Sequence, residues 1–199
     1  MARVLILFAH PRLETSRINK VLLKQIPVSS DLTFRDLYEL YPDFNIDIGQ
    51  EKELLLQHDF IIWHHPFYWY SAPPLIKQWI DMVLEFGWAY GPGGTALQGK
   101  VAFNVLTSGG AAEAYEMSGH HRFTLRDFLR PFDRTATLCH MTYLPPFAVQ
   151  GTHRLGDDAL AEQGTQYASL LNQLIHDDYD LDKMQEVKTL NEIIKPVKQ

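Results

Sequence analysis

The stretch VLILFAHPRLETSRIN, residues 4–19, decides how the rest of the chain is read. Val4–Phe8 is apolar without polar alternation and too short for a helix, the pattern of a strand buried on both faces of a parallel sheet. Ala9-His10-Pro11 ends it, because proline has no N–H to give a ladder. Residues 12–16 are polar and lead into a helical pattern carrying Ile18, Val21, Leu22 and Leu23. Thr15 and Ser16 occupy helix-cap positions, so hydroxyls and the helix's first free amides converge in a loop above the strand, where an anion is well held. Neither GxGxxG nor GxxxxGKS/T occurs, which argues against a dinucleotide Rossmann or nucleotide-hydrolysing site. A hydroxyl-rich loop suits a phosphate monoester better.

At 199 residues the chain fills one core and is short for two. The expectation is a single domain over residues 1–176, followed by a charged segment, 177–199, that is either a partner-docking helix or a frayed tail. The net charge of −6 opposes a nucleic-acid binder, which would carry a basic stripe. Cys139 is the single cysteine, which excludes an internal disulfide and fits a reduced cytosol. The N-terminus does not read as a signal peptide, and no apolar run reaches membrane-spanning length. Aromatic residues make up 12% of the chain and gather between Phe60 and Trp69, which makes a flat ligand plausible.

Downstream, strands are expected at 32–37, 59–63, 100–106 and 135–143, with 144–153 as a loop. Helices are expected over 50–58, 75–86, 125–132 (stopping near Pro131) and 157–175. Alternating strands and helices without repeats or linkers predict a flavodoxin-like, doubly wound α/β domain with a five-stranded parallel sheet of order 2-1-3-4-5. In such a sheet ligands bind outside the carboxyl ends of the strands at the switch point, which gathers three loops into one site.

The first loop offers His10, Thr15, Ser16 and Asn19 around an anion, the alternative being that Ser16 only caps its helix. The second, Pro66-Phe67-Tyr68-Trp69-Tyr70, offers amides and an aromatic wall to a planar ring, although such a run is often core or dimer interface. The third, Thr107-Ser108-Gly109-Gly110, lets backbone approach a ring edge. Three compatible loops at one switch point outweigh each separate alternative. Tyr115 and His121 lie just beyond the glycine pair, where a phenol and an imidazole stabilise charge or deliver a proton. His64-His65 and His120-His121 are adjacent pairs whose side chains diverge in extended structure, and no HExxH or similar ligand spacing exists, so no metal is expected. GxSxG is absent too, and nothing marks Ser108 as a nucleophile.

The pattern AHPxxxxSxxN through His10 and Asn19, DLYxxxPDFNID at 36–47, HPxxWYSxPPLxKxWID at 65–81, GWAYGPGGTALxGK at 87–100 and TSGG at 107–110 resemble the flavodoxin-fold NAD(P)H:quinone oxidoreductases. Within them the chain is most similar to the ancillary proteins of glutathione-regulated Kef potassium-efflux systems. The resemblance covers about residues 3–175 and implies a homodimer with FMN at each subunit interface, FAD remaining compatible. It also implies ping-pong transfer from NAD(P)H through the flavin to a quinone. His10, Ser16, Arg17, Ile18 and Asn19 would then hold the phosphate and ribityl chain, and Pro66, Phe67, Tyr68, Trp69 and Thr107, Ser108, Gly109, Gly110 the ring. Tyr115 and His121 match in spacing the tyrosine and histidine that mammalian-type quinone reductases place over it. Two positions depart from those reductases: Tyr68 replaces a glutamine before the pocket tryptophan, and Ser108 replaces the second threonine of TTGG. A second reading from a different class is a regulatory subunit docked on a membrane potassium-efflux antiporter, cytoplasmic and peripheral at the inner face of the membrane. An azo- or nitroreductase would share the flavin and differ in acceptor. NADH and NADPH are not distinguished, because no ribose selector is recognisable without a Rossmann fingerprint.

Overall fold

The structure is a computed structural model, and it describes residues 1–194. The sheet is parallel throughout. Val4–Phe8 (β1) pairs with Leu32–Asp36 (β2) on one side and Phe60–Pro66 (β3) on the other, and β3 pairs with Val101–Thr107 (β4). Along β1 the burial alternates between two cores. Leu5 and Leu7 face one side of the sheet and Val4, Ile6 and Phe8 the other, and every one of them is fully buried. The first face is covered by Ile48–Gln57 (α3), Pro74–Val83 (α4) and Arg130–Leu138 (α6) through Leu55, Leu75, Ile76, Trp79, Phe132 and Ala136. The second is covered by Arg17–Lys24 (α1) and Asp157–Ile175 (α7) through Ile18, Leu22, Leu160, Tyr167, Leu171 and Leu174. Two short helices lie between these elements, Leu37–Leu40 (α2) and Leu125–Phe128 (α5). The order β2-β1-β3-β4-β5 is the expected one, with the switch point between β1 and β3.

The fifth position differs from expectation. Of the strand expected over 135–143, only residues 142–143 are strand, because Pro131 opens α6 instead of ending a helix: in a first turn its missing N–H is unneeded. Thr135 and Thr137 tolerate the helix by donating their hydroxyls back to the carbonyls of Pro131 and Asp133, at 2.8 and 2.6 Å. The sheet is instead extended by two short strands, Thr142–Tyr143 (β5) and Phe147–Val149 (β6), both parallel to β4. Pro145 and Pro146 divide them, having no N–H for the ladder. The sheet is therefore six-stranded, and part of the expected loop 144–153 is strand.

Segment 177–194 packs on the domain. Leu181–Glu186 (α8) and a 3-10 turn at Leu190–Ile193 bury Met184 and Leu190 in the second core. The Leu190 amide donates to Pro146 O at 2.9 Å, and Asn191 Oδ1 accepts from the Ala148 amide at 2.9 Å. Residues 195–199 of the expected tail lie outside the described residues. Leu190 is fully buried, so Leu190→Ala is expected to cost about 3 kcal/mol in denaturant unfolding. A frayed tail would show no change. Among the described residues, no helix is long and apolar enough to cross a membrane.

Candidate functional site

The loops after β1, β3, β4 and β6 meet at the carboxyl edge of the sheet. In the first, Ser16 caps α1: its Oγ accepts from the Asn19 amide at 3.2 Å and from Asn19 Nδ2 at 3.0 Å. With its acceptor side used, the hydroxyl hydrogen is free to be given outward, beside the amides of Arg17 and Ile18 that a first helical turn leaves without intrahelical partners. Burial pushes the His10 imidazole below its ordinary range, so it is neutral at pH 7. His10 Nδ1 accepts from the Arg12 amide at 3.1 Å, which puts the proton on Nε2 and makes that nitrogen a second donor. Two of the expected residues contribute backbone only. The Arg17 guanidinium turns away to Asp157 at 2.6 Å, and the Ile18 side chain is core.

β3 runs to Pro66, further than expected, and then turns tightly. The Tyr68 amide donates to Ser71 O at 3.1 Å and the Ser71 amide to Tyr68 O at 2.9 Å. Trp69 and Tyr70 between them are both left-handed, with φ of 48° and 64°. This is a two-residue turn of the kind usually built from Asn-Gly, and holding bulky aromatics there costs about 1–3 kcal/mol per residue. Trp69 is 93% exposed. The strain holds aromatic surface and two amides that meet no protein acceptor among the described residues at the mouth of the site.

The glycine pair is tied down by Ser108, whose hydroxyl donates to Gly110 O at 2.9 Å. Space explains the glycines. A Cβ on Gly110 would sit 2.9 Å from the Tyr115 hydroxyl, and one on Gly109 would sit 2.6 Å from the His153 ring. Tyr115 is buried, and its ring lies 4.6 Å from that of His121 and 5.7 Å from that of Phe67. Burial raises the Tyr115 phenol, partly opposed by the Ser108 hydroxyl, so it is a proton donor at neutral pH. Tyr70 completes the group, its hydroxyl 3.5 Å from His121 Nδ1.

The fourth loop lies within the expected loop 144–153, but the sequence did not bring it to the site. The amides of Gly151 and Thr152 donate to Gly110 O and Ser108 O at 2.8 and 3.1 Å, which brings His153 against Gly109. The signal available was the apolar triplet Phe147–Val149 between Pro146 and Gly151. Lys188 and Thr189 also line, with Tyr115 and Gln150, a cavity of about 540 Å³ beside the site. His64 and His65 diverge as expected, His64 towards Asn19 and Tyr167, His65 towards Asn104.

A doubly wound sheet with hydroxyl and amide donors in its first loop and aromatic and glycine walls in the next two defines the class, and the chain belongs to the flavodoxin-like fold family, which it matches over residues 2–173. Among individual proteins it is similar to the glutathione-regulated potassium-efflux system ancillary protein KefG of Pectobacterium atrosepticum, with 43% identity over 170 residues, 85% of this chain and 93% of that protein. It is also similar to the general stress protein 14 of Treponema denticola solved in complex with FMN (35% identity, TM-score 0.82, covering 86% of this chain and 99% of the other). The NADPH-quinone reductase from P. pentosaceus is 34% identical with a TM-score of 0.77, over 85% of this chain and 97% of that one.

Proposed function

We propose that the protein is an FMN-dependent NAD(P)H:quinone oxidoreductase working as a homodimer by a two-step, two-electron exchange. The observation that carries this is the pairing, in one loop, of a Ser16 hydroxyl with its acceptor side used and a neutral His10 with its proton on Nε2, beneath free amides of a helix start. That donor set suits the phosphate of FMN, with no acidic side chain among these groups to repel it. The residues fit the rest of the molecule as well: Trp69, Tyr70, Gly109 and Gly110 offer amides to ring heteroatoms, and Phe67 and Tyr68 offer apolar walls. Bound there, FMN supplies hydride acceptance from NAD(P)H and two-electron reduction of a quinone. Tyr115, which keeps its phenol proton, would offer a hydrogen bond at the ring edge, and His121, packed on its ring with centroids 4.6 Å apart, would hold a proton for the acceptor.

The test is the visible spectrum. Purified protein mixed with FMN is expected to retain yellow colour after desalting, bleach on anaerobic NADPH and recover on quinone addition. Protein that stays colourless overturns the reading. The similarity to KefG favours a second role, as an ancillary subunit docked at the cytoplasmic face on a potassium-efflux antiporter, and the two roles are compatible. Co-purification with the membrane antiporter tests it.

A further inference from the structure

Tyr167 on α7 and His64 on β3 belong to none of the four loops, yet both are joined to Ser16. The Tyr167 hydroxyl lies 3.3 Å from His64 Nδ1, His64 Nε2 lies 3.2 Å from Asn19 Oδ1, and Asn19 Nδ2 reaches both Ser16 Oγ and Thr107 Oγ1 at 3.0 Å. Tyr167 and His64 are 0% exposed and Asn19 is 1% exposed, so water does not complete any valence in this chain. We infer that the buried Tyr167–His64 pair is a positioning device that fixes the direction of this chain of hydrogen bonds, so that Ser16 presents its hydrogen, and not a lone pair, to a phosphate monoester. The identity of that ligand as FMN rests on the proposed function; the direction of the chain does not.

Counting donors decides the direction. His64 is neutral, burial having pushed it down to about 3, so it carries one N–H. With that proton on Nε2, His64 donates to Asn19 Oδ1, its bare Nδ1 accepts from the Tyr167 hydroxyl, and both Nδ2 hydrogens of Asn19 are used, one on Ser16 and one on Thr107. No group is left over. With the proton on Nδ1, Asn19 must turn round: Tyr167 then accepts, its own O–H hydrogen has no acceptor, and one Nδ2 hydrogen has none either. Two buried orphan donors are prohibitive beside none. The ring of Tyr167 is held independently of its hydroxyl, lying 5.5 Å from Phe147. Removing the hydroxyl leaves His64 Nδ1 bare in the observed direction, against two orphan donors in the reversed one, and so weakens the hold on the direction without emptying the core.

The test compares FMN with riboflavin, which lacks the phosphate. In fluorescence titrations of the flavin-free full chain, Tyr167→Phe is expected to raise the Kd for FMN about fivefold, because the Ser16 hydrogen is held less firmly towards a charged ligand, and to leave that for riboflavin within about twofold. A purely structural role would weaken both ligands equally, and that result, or no change in either, overturns the inference. The His64 tautomer is read independently on the wild-type protein by 15N–1H correlation of the imidazole. An Nε2–H pattern is expected, and an Nδ1–H pattern overturns the inference whether or not flavin binds. Wild-type protein that binds neither flavin overturns instead the reading of the ligand.

Discussion

Ser16→Asp is expected to lower FMN affinity about a thousandfold while the fold and riboflavin binding are retained. Aspartate caps a helix as well as serine does, so its carboxylate takes over the hydrogen bond from the Asn19 amide that Ser16 Oγ accepts at 3.2 Å. What changes is the charge. A carboxylate about 4 Å from one unit of phosphate charge, at an effective dielectric near 20, opposes binding by about 4 kcal/mol, or three decades in affinity. The outward hydroxyl hydrogen is lost as well. Riboflavin has no phosphate to repel, so its titration separates electrostatics from damage to the ring site, and a thermal melt within about 2 °C of wild type certifies the cap. Wild-type affinity for FMN in this variant would place the phosphate elsewhere. The same protein separates the two proposed roles: if it has lost flavin yet still activates a potassium-efflux antiporter, turnover and partner regulation are independent.

Those features of the site set by adjacent residues were legible in the sequence. The run Val4–Phe8, the stop at Pro11 and the cap at Ser16 act within sixteen residues of one another, and they define a strand, loop and helix by local rules. The strand order followed from the alternation of such units without repeats or linkers, which marks a doubly wound sheet. What sequence reading misplaced depends on choices that local patterns leave open. Pro131 reads as a helix stop or a helix start according to which side the core lies on, and Phe132 and Ala136 settle this only by being buried against the sheet. β6 has three residues, too few for periodicity to register. The tie between His64 and Tyr167 spans 103 positions, and each residue alone reads as an ordinary core side chain. Sequence thus identified the loops that gather at the carboxyl edge of the sheet, whereas the groups that tie them from behind appear only when the chain is folded.

The largest expected effect on stability lies away from the site. Glu51 on α3 is fully buried, and its Oε1 accepts from Arg35 on β2 at 2.5 Å and from the Tyr41 hydroxyl at 2.7 Å, while Oε2 accepts from Trp79 Nε1 on α4 at 2.9 Å. One carboxylate thereby joins β2, the end of α2 at Tyr41, α3 and α4. Burial first, and Glu51 next, push the Tyr41 phenol up to about 12, so it stays a donor to the carboxylate throughout the physiological range. Arg35→Met removes the only full positive charge that the carboxylate meets in this cluster and leaves two neutral donors facing it. A buried charge stripped of its partner costs about 3–5 kcal/mol, a large share of the roughly 5–15 kcal/mol that holds a domain together. The double variant Arg35→Met/Glu51→Met is expected to be more stable than Arg35→Met alone, because no charge is then left in the core and methionine fills irregular space. Lys77→Ala provides the contrast: its i,i+4 pair with Asp81 on α4 is exposed, and its loss is expected to move stability by no more than about 0.5 kcal/mol. Denaturant unfolding of the three proteins, fitted with a common slope, gives the ranking directly. If Arg35→Met were as mild as Lys77→Ala, the buried carboxylate would be held by Tyr41 and Trp79 alone, and the attachment of β2 to the helical layer would be hydrophobic.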